Sequence, residues 1–330
     1  MGDIKILTEA EIRCHVQLDL DAIECVEKAF HALATKSVVM PPIMRLDILE
    51  NNGEIDVKTA YIPGVDSLAV KICPGFFDNP KLGLPSGSGL MVLFSTRTGM
   101  VESLLLDNAY LTDIRTAAAG ALSAKYLARA NAETATIIGA GAQAQLQLEA
   151  LTLVRNIKQA KIWARDFDKA QKLADKLSNR LGLPVSACIT IEAAVQNTDI
   201  LVTTTPSQEP LIKPEHLSPG LHITAMGSDA EHKNEIDPLV FANGVKYFCD
   251  RLSQTRVLGE LHHAIEKQLV DATAEFTELG QLISSQAQGR MDTTEITLCD
   301  LTGTGIQDTA IATMAYQLCL KNQIGTNFTN

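Results

Sequence analysis

The sequence predicts an α/β protein. A central Rossmann-type, doubly wound parallel sheet spans residues 118–306, and an α+β domain is made from residues 1–117 and completed by 307–330. Three observations carry this. Strand-like and helix-like segments alternate between residues 134 and 300, the pattern of parallel strands joined by helical crossovers. The run Gly139-x-Gly141-x-x-Ala144 follows the first of these strands and leads into a helix. Between residues 43 and 106 the hydrophobic period is two, as in antiparallel strands.

Along the chain, Thr8-x-x-Glu11 is a capping box for a short first helix. Asp19 caps a second, which sets Leu20, Ile23, Val26, Phe30 and Leu33 on one face before Pro41-Pro42 ends the element. Residues 43–48, 54–62, 68–73 and 90–95 read as strands, and Thr98-Gly99 turns the last of them into 100–106. An alanine-rich helix, 112–127, leads into the strand 134–138, and 145–154 is the helix after the glycine turn. Further strands are expected at 160–164, 185–188, 199–204, 221–226, 246–249 and 296–300. Gly303-x-Gly305 precedes an apolar helix, 306–320, which has no strand after it to serve and is expected to return to the N-terminal domain.

Composition narrows the function classes. At 330 residues with 46% apolar content, two soluble domains are expected. No apolar run reaches the ~18 residues of a membrane span. Met1-Gly2-Asp3-Ile4-Lys5 lacks a basic-then-apolar signal, so the cytoplasm is expected. Seven dispersed cysteines without a C-x-x-C pair read as reduced thiols. Seven histidines show no ligand spacing, so no metal is expected, and His262-His263 reads as a solvated helix surface. A net charge of −11 argues against nucleic acid as the partner.

The glycine run points to a dinucleotide. Gly139 allows the tight turn, Gly141 lets the backbone approach a pyrophosphate, and Ala144 lets helix and strand pack closely. The phosphates then rest on the helix N-terminus; the alternative is an ordinary tight βα turn. After the second strand, Ala164-Arg165-Asp166 stands where an acid bonds a ribose hydroxyl. Arg165 suits a 2′-phosphate and hence NADP(H), Asp166 suits a ribose, and a plain surface arginine fits equally.

Four further residues are candidates. Asp229 follows the strand 221–226, where α/β sheets bind ligands. It can exchange a proton with a substrate ammonium or imine, or simply form an Asx turn. Lys71 shares a strand face with Ala69 and Cys73 and reads as a carboxylate binder or proton donor, or as part of a solvent face. Arg45 reads as a forked carboxylate binder or a partner of Asp47. Arg115 reads as a phosphate or carboxylate ligand, or as helix decoration.

Together these residues resemble the ornithine cyclodeaminase/mu-crystallin family. The matching stretches are Arg45, Val70-Lys71, Arg115-Thr116-Ala117-Ala118-Ala119, the glycine run through Gln143 and Ala144, Gly227-Ser228-Asp229, Asp300-Leu301-Thr302-Gly303 and Ile306-Gln307-Asp308. Within the family the chain looks closest to cyclodeaminase-like proteins of ectoine utilisation, through residues 56–61 and 74–80. The resemblance implies a homodimer formed through the N-terminal domain and the C-terminal helix. It implies that Arg45, Lys71 and Arg115 hold a substrate carboxylate, that Asp229 is the acid/base with Lys71 beside it, and that Thr116, Gly139, Gly141, Ala142, Gln143, Arg165, Asp166, Thr204 and Ser228 line an NAD(P)(H) site. Two positions depart from the family pattern. Lys58 stands where relatives more often carry an apolar substrate-lining residue, which means either an extra negative charge on the substrate or nothing, and Leu301 replaces a small polar residue.

The activity this implies is hydride transfer at the α-carbon of a small amino or cyclic imino acid, as in a ketimine or Δ1-pyrroline-2-carboxylate reductase or an amino-acid dehydrogenase. A cyclodeaminase of ornithine or a related diamino acid, recycling its cofactor, is the alternative within the family. A non-catalytic, crystallin-like NADP(H)- or ligand-binding protein is the alternative outside enzymes.

Overall fold

The computed structural model describes residues 3–329, so the reading of Met1-Gly2 lies outside it. The first part of the chain forms β1 (Asp3–Thr8), α1 (Glu9–Arg13), α2 (Leu20–Thr35), β2 (Met44–Ile48), β3 (Gly53–Ala60), β4 (Ser67–Phe76), β5 (Leu90–Ser95), β6 (Val101–Leu106) and α3 (Tyr110–Leu127). Then come β7 (Thr134–Ile138), α4 (Ala142–Val154), β8 (Gln159–Trp163), α5 (Phe167–Leu181), β9 (Val185–Cys188), α6 (Ile191–Val195), β10 (Ile200–Thr203) and β11 (His222–Ala225). The last elements are β12 (Lys246–Cys249), α7 (Leu252–Thr255), α8 (Glu260–Glu266), β13 (Thr277–Glu278), α9 (Leu279–Ile283), β14 (Thr297–Asp300), α10 (Gly305–Lys321) and β15 (Thr326–Thr329).

The chain divides into two units. The first comprises residues up to Gln17, Glu24–Arg115 and those from Thr304 on; the second comprises Leu18–Ile23 and Thr116–Gly303. The expected boundaries were 117/118 and 306/307.

The first unit is built on a seven-stranded sheet in the order β15-β1-β6-β5-β4-β3-β2. β1 and β6 run parallel, and the other neighbours are antiparallel. β1 and β15 were not expected from the sequence. α10 lies on β3 and β4: a Cβ on Gly305 would fall 2.3 Å from the Thr59 carbonyl oxygen, so only glycine lets the helix start there. Thr309 Oγ1 donates to the Ala60 carbonyl at 2.8 Å and accepts from the Ala69 N–H at 3.1 Å, tying the helix to both strands. After Gly53, the buried positions of β3 are Glu54, Asp56, Lys58 and Ala60, while Ile55, Val57 and Thr59 are half-exposed. Strand alternation thus turns the charged face inward, the reverse of an ordinary half-buried strand.

The second unit holds an all-parallel eight-stranded sheet in the order β13-β12-β14-β11-β10-β7-β8-β9. Strand order reverses between β7 and β10, which opens a crevice at their carboxyl ends. Ile137 packs in one apolar cluster with Leu148 and Ile162, and its neighbour Ile138 in another with Leu201, Ile223 and Leu298. Adjacent strand residues face opposite ways, so both faces of the sheet are covered, as a doubly wound fold requires.

Local expectations met mixed outcomes. The Thr8/Glu11 capping box is present, and Asp19 Oδ1 accepts the Ala22 N–H at 2.9 Å. Ile23, Val26, Phe30 and Leu33 are buried, but Leu20, in the first turn of α2, is 61% exposed. All seven cysteines are free thiols, three of them buried. Among the described residues, no helix is long and apolar enough to cross a membrane.

Candidate active site

In the second unit, β7 ends in a buried run and the chain must turn at once to start α4. Gly139 takes φ +130°, and a Cβ there would stand 2.3 Å from Thr204 Oγ1. Gly141 caps α4, and a Cβ on it would meet nothing within 4 Å. The helix therefore begins at Ala142, earlier than the expected residue 145, and its first-turn N–H groups stand beside open space. A cavity of about 340 Å³ occupies that space, lined among others by Gly139, Gly141, Arg165, Asp166, Lys169 and Thr204.

Asp166 has a structural task at this cavity. It is the N-cap of α5, and its Oδ1 accepts the Lys169 N–H at 3.2 Å. Arg165 and Lys169 line the cavity beside it; Lys169 was not anticipated. Thr204 Oγ1 donates to the Ile138 carbonyl at 3.1 Å, joining the ends of β10 and β7. Thr116 and Gln143 meet through Gln147, whose Nε2 donates to the Thr116 carbonyl at 3.1 Å and to Gln143 Oε1 at 3.2 Å.

β11 ends at Ala225, and Gly227-Ser228-Asp229 follows. The Asp229 carboxylate lies 2.6 Å from Lys233 Nζ, and Ser228 Oγ donates to the Lys233 carbonyl. Glu235 is fully buried and accepts hydrogen bonds from the Gly227 N–H, the Thr205 N–H and two threonine hydroxyls; burial drives its carboxyl up. Behind it, burial and then Asp250 push Asp300 up to about 7. His262 and His263 are half-buried on α8 rather than solvated, and His263 Nε2 lies 2.7 Å from the Lys233 carbonyl. His262, His263 and Glu266 bring ligand atoms within 4.8 Å of one another, a grouping the sequence spacing did not suggest.

The first unit carries the other candidates. Lys71 projects from β4, is 2% exposed and lies 3.0 Å from Asp308 in the first turn of α10. Arg115 of α3 donates from Nε to the same carboxylate at 3.0 Å and from Nη1 to Gln307 Oε1 at 3.4 Å. Burial, then Arg115, lowers the proton affinity of Lys71; burial raises that of Asp308, but Lys71 and Arg115 outweigh it and hold the carboxyl low. Lys58 is buried and sits directly across the β3/β4 ladder from Lys71, an unfavourable like-charge pairing. Arg45 on β2 is engaged by Asp47 at 2.9 Å, by Glu54 and by Asp56 at 3.5 Å. Lys71, Arg115 and Lys58 thus share one buried neighbourhood, while Arg45 sits among acids of its own strand and of β3. Asp308 stood in a matching stretch without an assigned role, and Lys233 and Glu235 were not anticipated from the sequence. The one local signal was the polar first turn of an otherwise apolar α10, Thr304-Gly305-Ile306-Gln307-Asp308.

Three known proteins show what the chain is similar to. A protein of Rhizobium meliloti, named as a candidate dehydrogenase, is 60% identical over 328 residues, covering 99% of each chain. The structure of Thermococcus litoralis Δ1-pyrroline-2-carboxylate reductase in complex with NADH and L-proline superposes with a TM-score of 0.93 at 28% identity, covering 98% of this chain and 100% of that one. An archaeal alanine dehydrogenase dimer with bound NAD superposes with a TM-score of 0.92 at 33% identity, covering 99% of both. The description of the ornithine cyclodeaminase/mu-crystallin family matches residues 3–323, and the chain belongs to that family.

Proposed function

We propose that this protein is an NAD(P)-dependent oxidoreductase of small amino or imino acids, moving a hydride to or from the α-carbon, most simply as a ketimine or Δ1-pyrroline-2-carboxylate reductase or an amino-acid dehydrogenase. The observation that carries the reading is the pair of buried cations, Lys71 and Arg115, sharing the single carboxylate of Asp308. A buried excess of positive charge is costly without an anion, and a substrate carboxylate supplies one. Lys58 adds to the same field. The similarity to a reductase solved with L-proline, itself a carboxylate, agrees with this.

The second unit fits a dinucleotide. Gly141 leaves its Cβ direction open at the start of a 13-residue helix, beside the cavity that Thr204 and Arg165 also line. Backbone N–H groups and the helix dipole there favour phosphate. Thr116, Gly139, Ala142, Gln143 and Ser228 complete the proposed cofactor set. With Asp166 occupied as a helix cap, Arg165 and Lys169 favour a 2′-phosphate, hence NADP(H), although the solved relatives carry NAD or NADH. When bound, the nicotinamide supplies or accepts the hydride.

The chain's own residues do the rest. Lys71 and Arg115, with Arg45 on a neighbouring strand, anchor the carboxylate and orient the α-carbon. Asp229 takes a proton from the substrate ammonium in the oxidative direction and stabilises or protonates the imine in the reductive one. Orientation alone contributes ~7–11 kcal/mol to such a step. Met44 and Leu46, more than half exposed on the edge strand β2, support assembly with a second copy as a homodimer.

The test is spectrophotometric. The protein is mixed with NADH or NADPH and Δ1-pyrroline-2-carboxylate, other ketimines, alanine, ornithine or 2,4-diaminobutyrate. Loss or gain of the reduced-nicotinamide band on an imino or amino acid supports the proposal. A steady band with ammonia released from a diamino acid supports the cyclodeaminase instead. Cofactor binding without turnover on any compound supports a binding protein.

A further inference from the structure

The loop after β11 is tied down along its length. Glu235 accepts from the Thr205 N–H at 2.6 Å and the Gly227 N–H at 2.7 Å, linking the ends of β10 and β11. Glu260, buried at the start of α8, accepts from Asn234 Nδ2 at 2.6 Å and from the N–H groups of Glu235 and Ile236 at 3.0 and 3.1 Å. The Lys233 carbonyl lies 2.7 Å from His263 Nε2 and accepts from the Ser228 hydroxyl. A connecting segment of this kind is ordinarily mobile, so this density of buried hydrogen bonds calls for a reason.

The reason lies in the one residue the loop aims at Asp229. Lys233 Nζ is 2.6 Å from Asp229 Oδ1; the lysine side chain is 6% exposed, whereas that of Asp229 is 38% exposed. The pair thus joins a nearly buried ammonium to a carboxylate that keeps part of its surface accessible. A lysine so short of solvent, on a backbone held through its own N–H and carbonyl and through Asn234, has little freedom to swing away.

We infer that Lys233 is a positioning residue for Asp229: its ammonium holds the carboxylate in one orientation. This rests on the proposed acid/base role of Asp229. Lys233 donates no proton to substrate; it acts through the carboxylate, and Glu235 and Glu260 act through Lys233 by fixing its backbone.

The experiment uses the full-length protein, with steady-state rates on the substrate found above and NADH or NADPH affinity by fluorescence. Lys233→Met keeps the length and apolar stem of the side chain and removes the charge. It is expected to lower kcat about tenfold or more while the cofactor dissociation constant stays within about threefold, because only the acid/base step is affected. Lys233→Arg is expected to restore most of the rate. In an Asp229→Asn background, Lys233→Met should change kcat less than about twofold, since no carboxylate remains to be held. Equal losses in both backgrounds, a kcat unchanged by Lys233→Met, or joint loss of kcat and cofactor affinity without rescue by arginine each overturn the inference. If Asp229→Asn abolishes turnover while Lys233→Met does nothing, only this inference fails. Full activity in Asp229→Asn removes the acid/base role and the inference with it.

Discussion

The Lys71 ammonium stands 3.0 Å from each oxygen of the Asp308 carboxylate, with both side chains buried. The two residues are 237 positions apart in the chain, one on a sheet and the other on the helix that lies across it. Arg115 joins the same carboxylate from α3, so three elements meet at one anion. A buried pair of this kind is a weak source of net stability, yet breaking it is costly, because the survivor keeps its desolvation penalty. Under the proposed function, its value lies in fixing two cations for a substrate carboxylate.

Asp308→Asn should therefore destabilise strongly. The amide keeps the shape but removes the carboxylate that Lys71 and Arg115 share, which costs about 3–5 kcal/mol. Urea denaturation monitored by circular dichroism measures this directly. Lys71→Met in the same background should recover part of the loss, since one stranded cation is removed; a double mutant no more stable than Asp308→Asn alone would refute the coupling.

Asp107 gives the pH prediction. Burial pushes its carboxyl up to about 6, against hydrogen bonds from the Leu111 N–H and its own backbone and the field of Lys71. Its folded value lies above the unfolded one. Between about pH 4 and 6 the folded protein therefore holds a proton that the unfolded chain has released, and stability falls as pH rises through that window. The contribution is up to about 3 kcal/mol. Asp107→Asn keeps an acceptor for the Leu111 N–H and removes the charge, so the slope of stability against pH in this window should flatten. An unchanged slope would show that another group carries it.

Legibility in the sequence followed locality. The β7–α4 turn was readable because its glycines are demanded by backbone geometry within a few residues. The strands of the second unit were readable because burial on both faces makes continuous apolar runs, such as Ala135-Thr136-Ile137-Ile138. β1 was missed because its partners, β6 and β15, lie about a hundred and three hundred residues away and leave no local mark. On β3 the pattern misleads, since Ile55 and Val57 suggest an apolar inner face while Asp56 and Lys58 occupy it. Lys71, Arg115 and Asp229 could be named as candidates, but the role of Asp308 appears only when segments 237 residues apart meet, and that of Lys233, four residues from Asp229, only when the fold of their shared loop is known.

Arg165 should discriminate between cofactors. It lines the cavity with Lys169, and the neighbouring Asp166 is held by the Lys169 N–H. Arg165→Ala should weaken NADPH binding about tenfold or more and NADH binding far less, the scale of one charge-assisted hydrogen bond. Titration of protein fluorescence with both nucleotides measures it, and equal losses for both would move the 2′-phosphate site elsewhere. Asp166→Ala should cost about 1 kcal/mol of stability through the lost cap.

The two glycines of the turn should separate folding from binding. At Gly139 the backbone lies at φ +130° and an added Cβ meets Thr204 Oγ1 at 2.3 Å, so Gly139→Ala is strained twice and should lose more than about 2 kcal/mol of stability. At Gly141 the backbone is at φ −89°, open to any residue, and an added Cβ meets nothing within 4 Å. Gly141→Ala should therefore leave stability within about 0.5 kcal/mol of the parent. The added methyl projects from the cap of α4 into the space where a pyrophosphate would approach the backbone, so dinucleotide affinity should drop roughly tenfold, about 1.4 kcal/mol. Thermal denaturation and nucleotide titration on the two variants give the full comparison. A Gly141→Ala protein that folds normally and binds the dinucleotide as tightly as its parent would remove the phosphates from this turn, and with them the cofactor site.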